Sequence, residues 1–183
     1  EDYGKKKDQA PAATVEAEDG YSGMFPEILQ WDERWGYSPY GTSIIAVSGC
    51  GPTCVSMLVV GLTGDKTVTP SVVADYATQN HYVDENNDTT WAFMTSGVEH
   101  WGLTCRESNG NESEIAKELE AGHPVICSMR PGDFTDIGHF IILTSYNNGN
   151  VTICDPFSLE NSKKSWNYSQ ISSQIKAVWV YSK

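Results

Sequence analysis

The sequence predicts an α+β fold in which a helical first half precedes an antiparallel sheet. Two observations carry this. Apolar residues recur at helical spacing between residues 50 and 120, and short β-branched and aromatic runs take over after residue 124. No internal repeat is present, which excludes solenoid and array architectures.

The helices announce themselves in order. Ser48-Gly49-Cys50-Gly51-Pro52 leads into the first, with Pro52 suited to its first position. Val55, Leu58, Val59 and Leu62 form its stripe, and Gly61 or Gly64 closes it. Thr69-Pro70 opens a second helix that runs to about Asn80. Thr89 or Thr90 caps a third, with Trp91, Met94, Val98 and Trp101 turned inward and Gly102 as its stop. Asn111 and Glu114 give a capping-box-like start to a fourth, which Gly122 ends. Strands follow at Pro124–Met129, His139–Tyr146, Val151–Asp155 and Ala177–Tyr181, and Asn147-Asn148-Gly149-Asn150 is a hairpin turn.

Length and composition bound the function. A chain of 183 residues makes one domain with a sizeable core, and 39% hydrophobic residues with 11% aromatics favour a folded protein. Residues 1–24 are expected to be a disordered tail or linker, because Glu1–Gly20 is polar and of low complexity; residues 25–183 form the domain. Such a segment is similar to a linker behind a removed signal or anchor, so the expectation is a secreted or cell-surface bacterial protein. No apolar run is long enough to cross a bilayer. The net charge of −12 argues against a nucleic-acid partner, and Lys5–Lys7 and Lys163–Lys164 are too short to reverse that.

Five cysteines, Cys50, Cys54, Cys105, Cys127 and Cys154, leave at least one thiol outside any intramolecular pair. Their spacing is not a zinc pattern, so no metal is expected. Cys127 and Cys154 lie in apolar runs and read as small hydrophobes. Cys54 reads as packing, or as a disulfide partner of Cys105.

Cys50 differs from the others. Glycines on both sides and a helix beginning at once put its sulfur at a helix N-terminus, where unpaired N–H groups and the helix dipole favour a thiolate. Those N–H groups also suit an oxyanion. The competing reading is a Gly-rich loop holding an incidental Cys. His139 opens an otherwise apolar strand, and the hairpin returns Asp155 toward the same end of the sheet, with the register open by two or three residues. An Asp so placed holds the imidazole tautomer and stabilises the imidazolium; Asp155-Pro156 also reads as a strand-ending turn. Gln30 is a candidate oxyanion donor, with Asp32 and Trp35 as polar and packing residues of the same segment. His81, His100 and His123 read as structural or surface residues.

Taken in order, Gln30-Trp31-Asp32…Trp35, Gly49-Cys50-Gly51-Pro52-Thr53, Gly122-His123-Pro124-Val125-Ile126, Gly138-His139-Phe140-Ile141 and Asp155-Pro156 resemble the papain-like bacterial cysteine peptidases. The match is to stand-alone relatives of the bacteriocin-leader (double-glycine) peptidases, the C39-like peptidases, and it covers roughly residues 28–181. The resemblance implies a papain-like fold, with a helical part carrying the nucleophile packed on an antiparallel sheet carrying His and Asp. It implies Cys50 as nucleophile, His139 as general base, Asp155 as orienter and Gln30 as oxyanion donor. The expected partner is a peptide or protein substrate, and no cofactor is required. The leader peptidases precede a membrane transporter and carry their Gln much nearer the Cys, so double-glycine specificity is not implied. Two other classes share these features. Transglutaminase-type acyltransferases and cell-wall amidases keep the Cys…His…Asp order, and a secreted binding module would use the aromatics of Gln30–Tyr40 and Trp91–Trp101 without turnover.

Overall fold

The computed structural model describes residues 9–183. Two short ribbons, β1 (Tyr21–Ser22) with β2 (Phe25–Pro26) and β3 (Pro39–Tyr40) with β4 (Ser43–Ile44), lead to the helices. These are α1 (Ile45–Ser48), α2 (Cys50–Thr63), α3 (Pro70–Gln79), α4 (Trp91–Thr95) and, after β5 (Thr104–Ser108), α5 (Glu112–Glu120). The chain then lays down β6 (Val125–Met129), β7 (His139–Asn147) and β8 (Asn150–Cys154). Helix α6 (Leu159–Ser162), β9 (Ser165–Asn167), α7 (Tyr168–Ile171) and β10 (Ile175–Ser182) complete it.

The central sheet has six antiparallel strands in the order β5-β10-β6-β7-β8-β9. Its inner strands are buried on both faces, which is why they read as nearly continuous apolar runs. Alternation sorts their side chains. Ile126, Phe140, Ile142, Cys154 and Trp179 join Val55, Leu58 and Val59 of α2 in one core. Cys127, Ile141, Leu143, Ile153 and Val178 join Ile115 and Leu119 of α5 in the other.

Local chemistry explains most element ends. The Thr69 hydroxyl accepts from Val72 N–H, and the Asn111 side chain accepts from Ser113 N–H. Gly64, of the two glycines named for the end of α2, is the left-handed C-cap, with φ 77°. At the hairpin, Asn148 and Gly149 both take positive φ, the two-residue primed turn that Asn-Gly favours.

Four expectations are corrected. Helix α2 begins at Cys50, so Pro52 is its third residue, where the missing N–H still costs nothing. The third helix breaks after Thr95 and continues as a 3₁₀ turn, Gly97–Trp101, and Trp91 is 45% exposed rather than inward. Glu114 does not close a capping box but pairs with Arg106 and Ser108 of β5. Residues 9–24, read as part of a disordered tail, include packed backbone. Val15 is buried in the core, its N–H donates to Lys66 O at 2.8 Å, and Ala12 N–H donates to Arg34 O at 2.9 Å. Lys5–Lys7 lie outside the described residues. Among the described residues no helix is long and apolar enough to cross a membrane.

Candidate active site

Cys50 is the first residue of α2, and its neighbours are glycines because nothing larger fits. A Cβ on Gly51 would stand 2.1 Å from the Thr89 hydroxyl oxygen, and one on Gly49 would stand 2.6 Å from Ile45 O. Thr89 is buried and hydrogen-bonded to the buried Tyr40 hydroxyl, so the wall behind the thiol is rigid. As the first residue of the helix, Cys50 also carries one of the N–H groups that the helix leaves unpaired.

One turn further, the Cys54 thiol points at Phe140 O, 3.4 Å away on the second residue of β7. This tethers the start of α2 to the strand that His139 opens. Cys54 is therefore packing, and all five cysteines are free thiols in the structure. Burial pushes the Cys54, Cys127 and Cys154 thiols well up, and that of half-buried Cys105 to about 11.

The hairpin register brings His139 and Asp155 together. Ile142 pairs with Cys154 as the ladder ends, so His139 stands three residues before one end of the pair and Asp155 one residue beyond the other. His139 Nε2 lies 2.7 Å from Asp155 Oδ1. Burial opposes a charge on the imidazole, yet the imidazole N–H bond to Asp155 and the electrostatic pull of Asp155 and Cys50 outweigh it and raise the His139 pKa to about 10. Since Nε2 is committed to Asp155, Nδ1 is the nitrogen left for the Cys50 sulfur.

Asp155 is 2% exposed and held on every side. Its Oδ1 also accepts from Phe157 N–H at 2.9 Å, its Oδ2 accepts from the Asn161 amide at 3.0 Å, and its own N–H donates to Ser162 Oγ at 2.8 Å. Sequence reasoning missed Asn161 and Ser162. The available signal was Ser158, whose hydroxyl caps the short α6 by accepting from Asn161 N–H and so turns both residues back on Asp155.

Gln30 is buried, and its backbone N–H donates to Pro156 O at 2.7 Å, beside the Asp155 turn. Its side-chain Nε2 donates to Ile45 O at 3.3 Å and Ala46 O at 3.2 Å, in the helix just before Cys50. Gln30 thus joins the nucleophile segment to the Asp155 turn. With both Nε2 hydrogens directed at carbonyls, none is aimed at the thiol, which departs from the expected oxyanion donor. Asp32 pairs with Arg34 at 2.8 Å, and the Trp35 indole is buried on Leu29 O. His100 stacks on Tyr76 and His123 pairs with Glu118; neither they nor His81 line the cleft that holds Cys50.

That cleft, about 580 Å³, is lined by Cys50, His139, Trp91, Arg130, Ile137 and Lys176 among others. A half-buried thiol at a helix start and an imidazole that share one cleft, with a buried carboxylate fixed behind the imidazole, make an arrangement suited to nucleophilic attack and proton return.

Comparison with known proteins bears on the fold and the family of the chain. The peptidase domain of Streptococcus ComA, a bifunctional ABC transporter involved in a quorum-sensing pathway, superposes with a TM-score of 0.52 at 13% identity, covering 75% of this chain and 93% of that one. A putative C39-like peptidase from Bacillus anthracis gives a TM-score of 0.44 at 17% identity, covering 93% and 97%. The likeness to ComA establishes the papain-like fold. A search of curated proteins finds no match. The family model of the Peptidase_C39 like family matches residues 8–183, and the chain belongs to that family.

Proposed function

We propose that the protein is a cysteine peptidase that hydrolyses peptide or isopeptide bonds through Cys50, His139 and Asp155. The observation that carries the reading is His139, which is hydrogen-bonded to Asp155 and lines one cleft with Cys50. The Cys50 thiolate attacks the substrate carbonyl, and the C=O electron pair moves onto oxygen. The Cys50 N–H at the start of α2 supports that oxyanion. As the tetrahedral intermediate collapses, the C–N bond breaks and the imidazolium N–H of His139 protonates the leaving amine. His139 then takes a proton from water, whose oxygen displaces sulfur from the thioester and releases a carboxylic acid.

Asp155 holds the ring and favours its charged form. Gln30 contributes by holding α1 and the Asp155 turn in register, and it donates to the oxyanion only if its amide swings away from Ile45 and Ala46. A peptide or protein is the substrate, and the secreted or cell-surface bacterial setting expected from the N-terminal composition belongs to the same proposal.

Thiol labelling and a cleavage profile test it together. Iodoacetamide at pH 7 should modify Cys50 first, because burial holds the other four thiols protonated or covered. A proteome-derived peptide library should be cleaved by the wild type and left intact by Cys50→Ser. Equal labelling of Cys50 and Cys105, or no cleavage by the wild type, refutes the peptidase reading. Amine incorporation in place of hydrolysis would assign acyl transfer instead.

A further inference from the structure

Cations are scarce in this acidic chain, and most described ones are spent on carboxylates. Arg34, Lys66, Arg106, Lys163 and Lys164 each make an ion pair. Arg130 and Lys176 make none among the described residues, and both line the cleft that holds the Cys50 thiol.

Their positions are built by the sheet. Ile175 of β10 pairs with Met129 and Ala177 with Ser128, so Lys176 is the extra residue of a β-bulge, and the pairing with β5 begins only at Val178. A bulge costs ladder hydrogen bonds and re-aims a side chain, and bulges concentrate beside active sites. Here it leaves the Lys176 ammonium 5.7 Å from the centre of the Trp91 ring on the cleft wall. Arg130 follows β6 directly, and its N–H is fixed on Gln174 O at 2.7 Å.

We propose that Arg130 and Lys176 bind a carboxylate of the substrate, either an acidic side chain or a free C-terminus, within about three residues of the bond that Cys50 attacks. The distance follows from the register. Met129 pairs with His139 on one side and with Ile175 on the other, so β10 lies two strand spacings, roughly 10 Å, from the β7 backbone at His139, which is the reach of about three extended residues. Asp84 and Asp88 also line the cleft, on the loop before α4. They repel a carboxylate, so within the cleft it is favoured only beside Arg130 and Lys176. The Trp91 ring lines the cleft beside the Lys176 ammonium, and a charge-assisted hydrogen bond to a substrate carboxylate is stronger than a neutral one.

This inference rests on the peptidase reading, and the test separates the two. The wild type is profiled on a proteome-derived peptide library, then assayed on matched peptides carrying Glu or Gln at each of the three positions on either side of the cleaved bond. Acidic residues should be enriched in that window. Arg130→Gln combined with Lys176→Met should lower kcat/KM for the Glu peptides roughly ten- to a hundredfold, the range for losing charge-assisted hydrogen bonds, and change the Gln peptides less than about threefold. Arg130→Lys combined with Lys176→Arg should restore the preference. Peptides ending in a free carboxylate or an amide inside the window separate a side-chain anion from a terminal one. Cleavage without acidic preference, or a preference the double variant keeps, overturns the inference and leaves the peptidase reading standing. No cleavage by the wild type refutes both.

Discussion

Asp155→Asn is the sharpest perturbation of the site, because it changes charge at almost constant volume. In the wild type the carboxylate accepts from His139 at 2.7 Å, Phe157 N–H at 2.9 Å and the Asn161 amide at 3.0 Å. An asparagine keeps one acceptor oxygen, so its NH₂ must face either His139 or Asn161, both donors to the carboxylate. Losing one charge-assisted hydrogen bond at a buried site costs about 1.5–3 kcal/mol, which corresponds to roughly 10- to 150-fold in a rate that depends on the imidazolium. The same change removes a cause of the raised His139 pKa, so the pKa must fall from about 10 toward the ordinary histidine value. Imidazole ¹⁵N NMR across pH 5–11 reads this directly, beside kcat on any cleaved peptide. A wild-type His139 that titrates near 6.5, or an Asp155→Asn variant that titrates where the wild type does, would refute the charge argument.

Three further outcomes are expected. Because the folded His139 pKa lies above the unfolded value of about 6.5, its contribution to stability is complete below that pH and is lost as pH rises toward about 10. Urea midpoints should therefore fall more steeply across that window in the wild type than in His139→Gln, and parallel curves would contradict it. Gln30→Ala strips a donor from Ile45 O and Ala46 O and should cost about 1–3 kcal/mol of stability; it should slow turnover while leaving it measurable, because α1 loosens. A wild-type urea midpoint for this variant would argue against the positioning role. Gly51→Ala pushes a methyl onto Thr89, and overpacking of this kind costs about 1–3 kcal/mol. Unchanged thermal stability and unchanged Cys50 labelling would show that the wall yields.

Much of the fold was legible in the sequence because it rests on local signals. The Thr69 and Asn111 caps, the Asn148-Gly149 turn and the periodicities of 3.6 and 2 each act over a few residues. Strands β5 and β9 escaped notice because they are edge strands, short and largely exposed, with no apolar run to mark them. Trp91 was assigned to the core on helical spacing alone. The structure instead turns it to the cleft, edge-on to Trp179 and under Lys176, which spacing cannot reveal.

The same division runs through the site. By itself the sequence determined that Cys50 lies between two glycines near the start of a helix, because cap and helix chemistry is a matter of neighbouring residues. It also determined that His139 and Asp155 lie near the ends of a hairpin, because the Asn-Gly turn sets the pairing. Only the tertiary structure decided the rest. The bulge between Leu143 and Ser145 shifts the ladder so that the His139–Asp155 bond closes. Thr89 requires Gly51, Asn161 holds the second carboxylate oxygen, and Gln30 turns its amide to α1 rather than to the thiol. These contacts join residues from separate elements. They exist only once the packing of α2 on the sheet has brought those elements within hydrogen-bond reach.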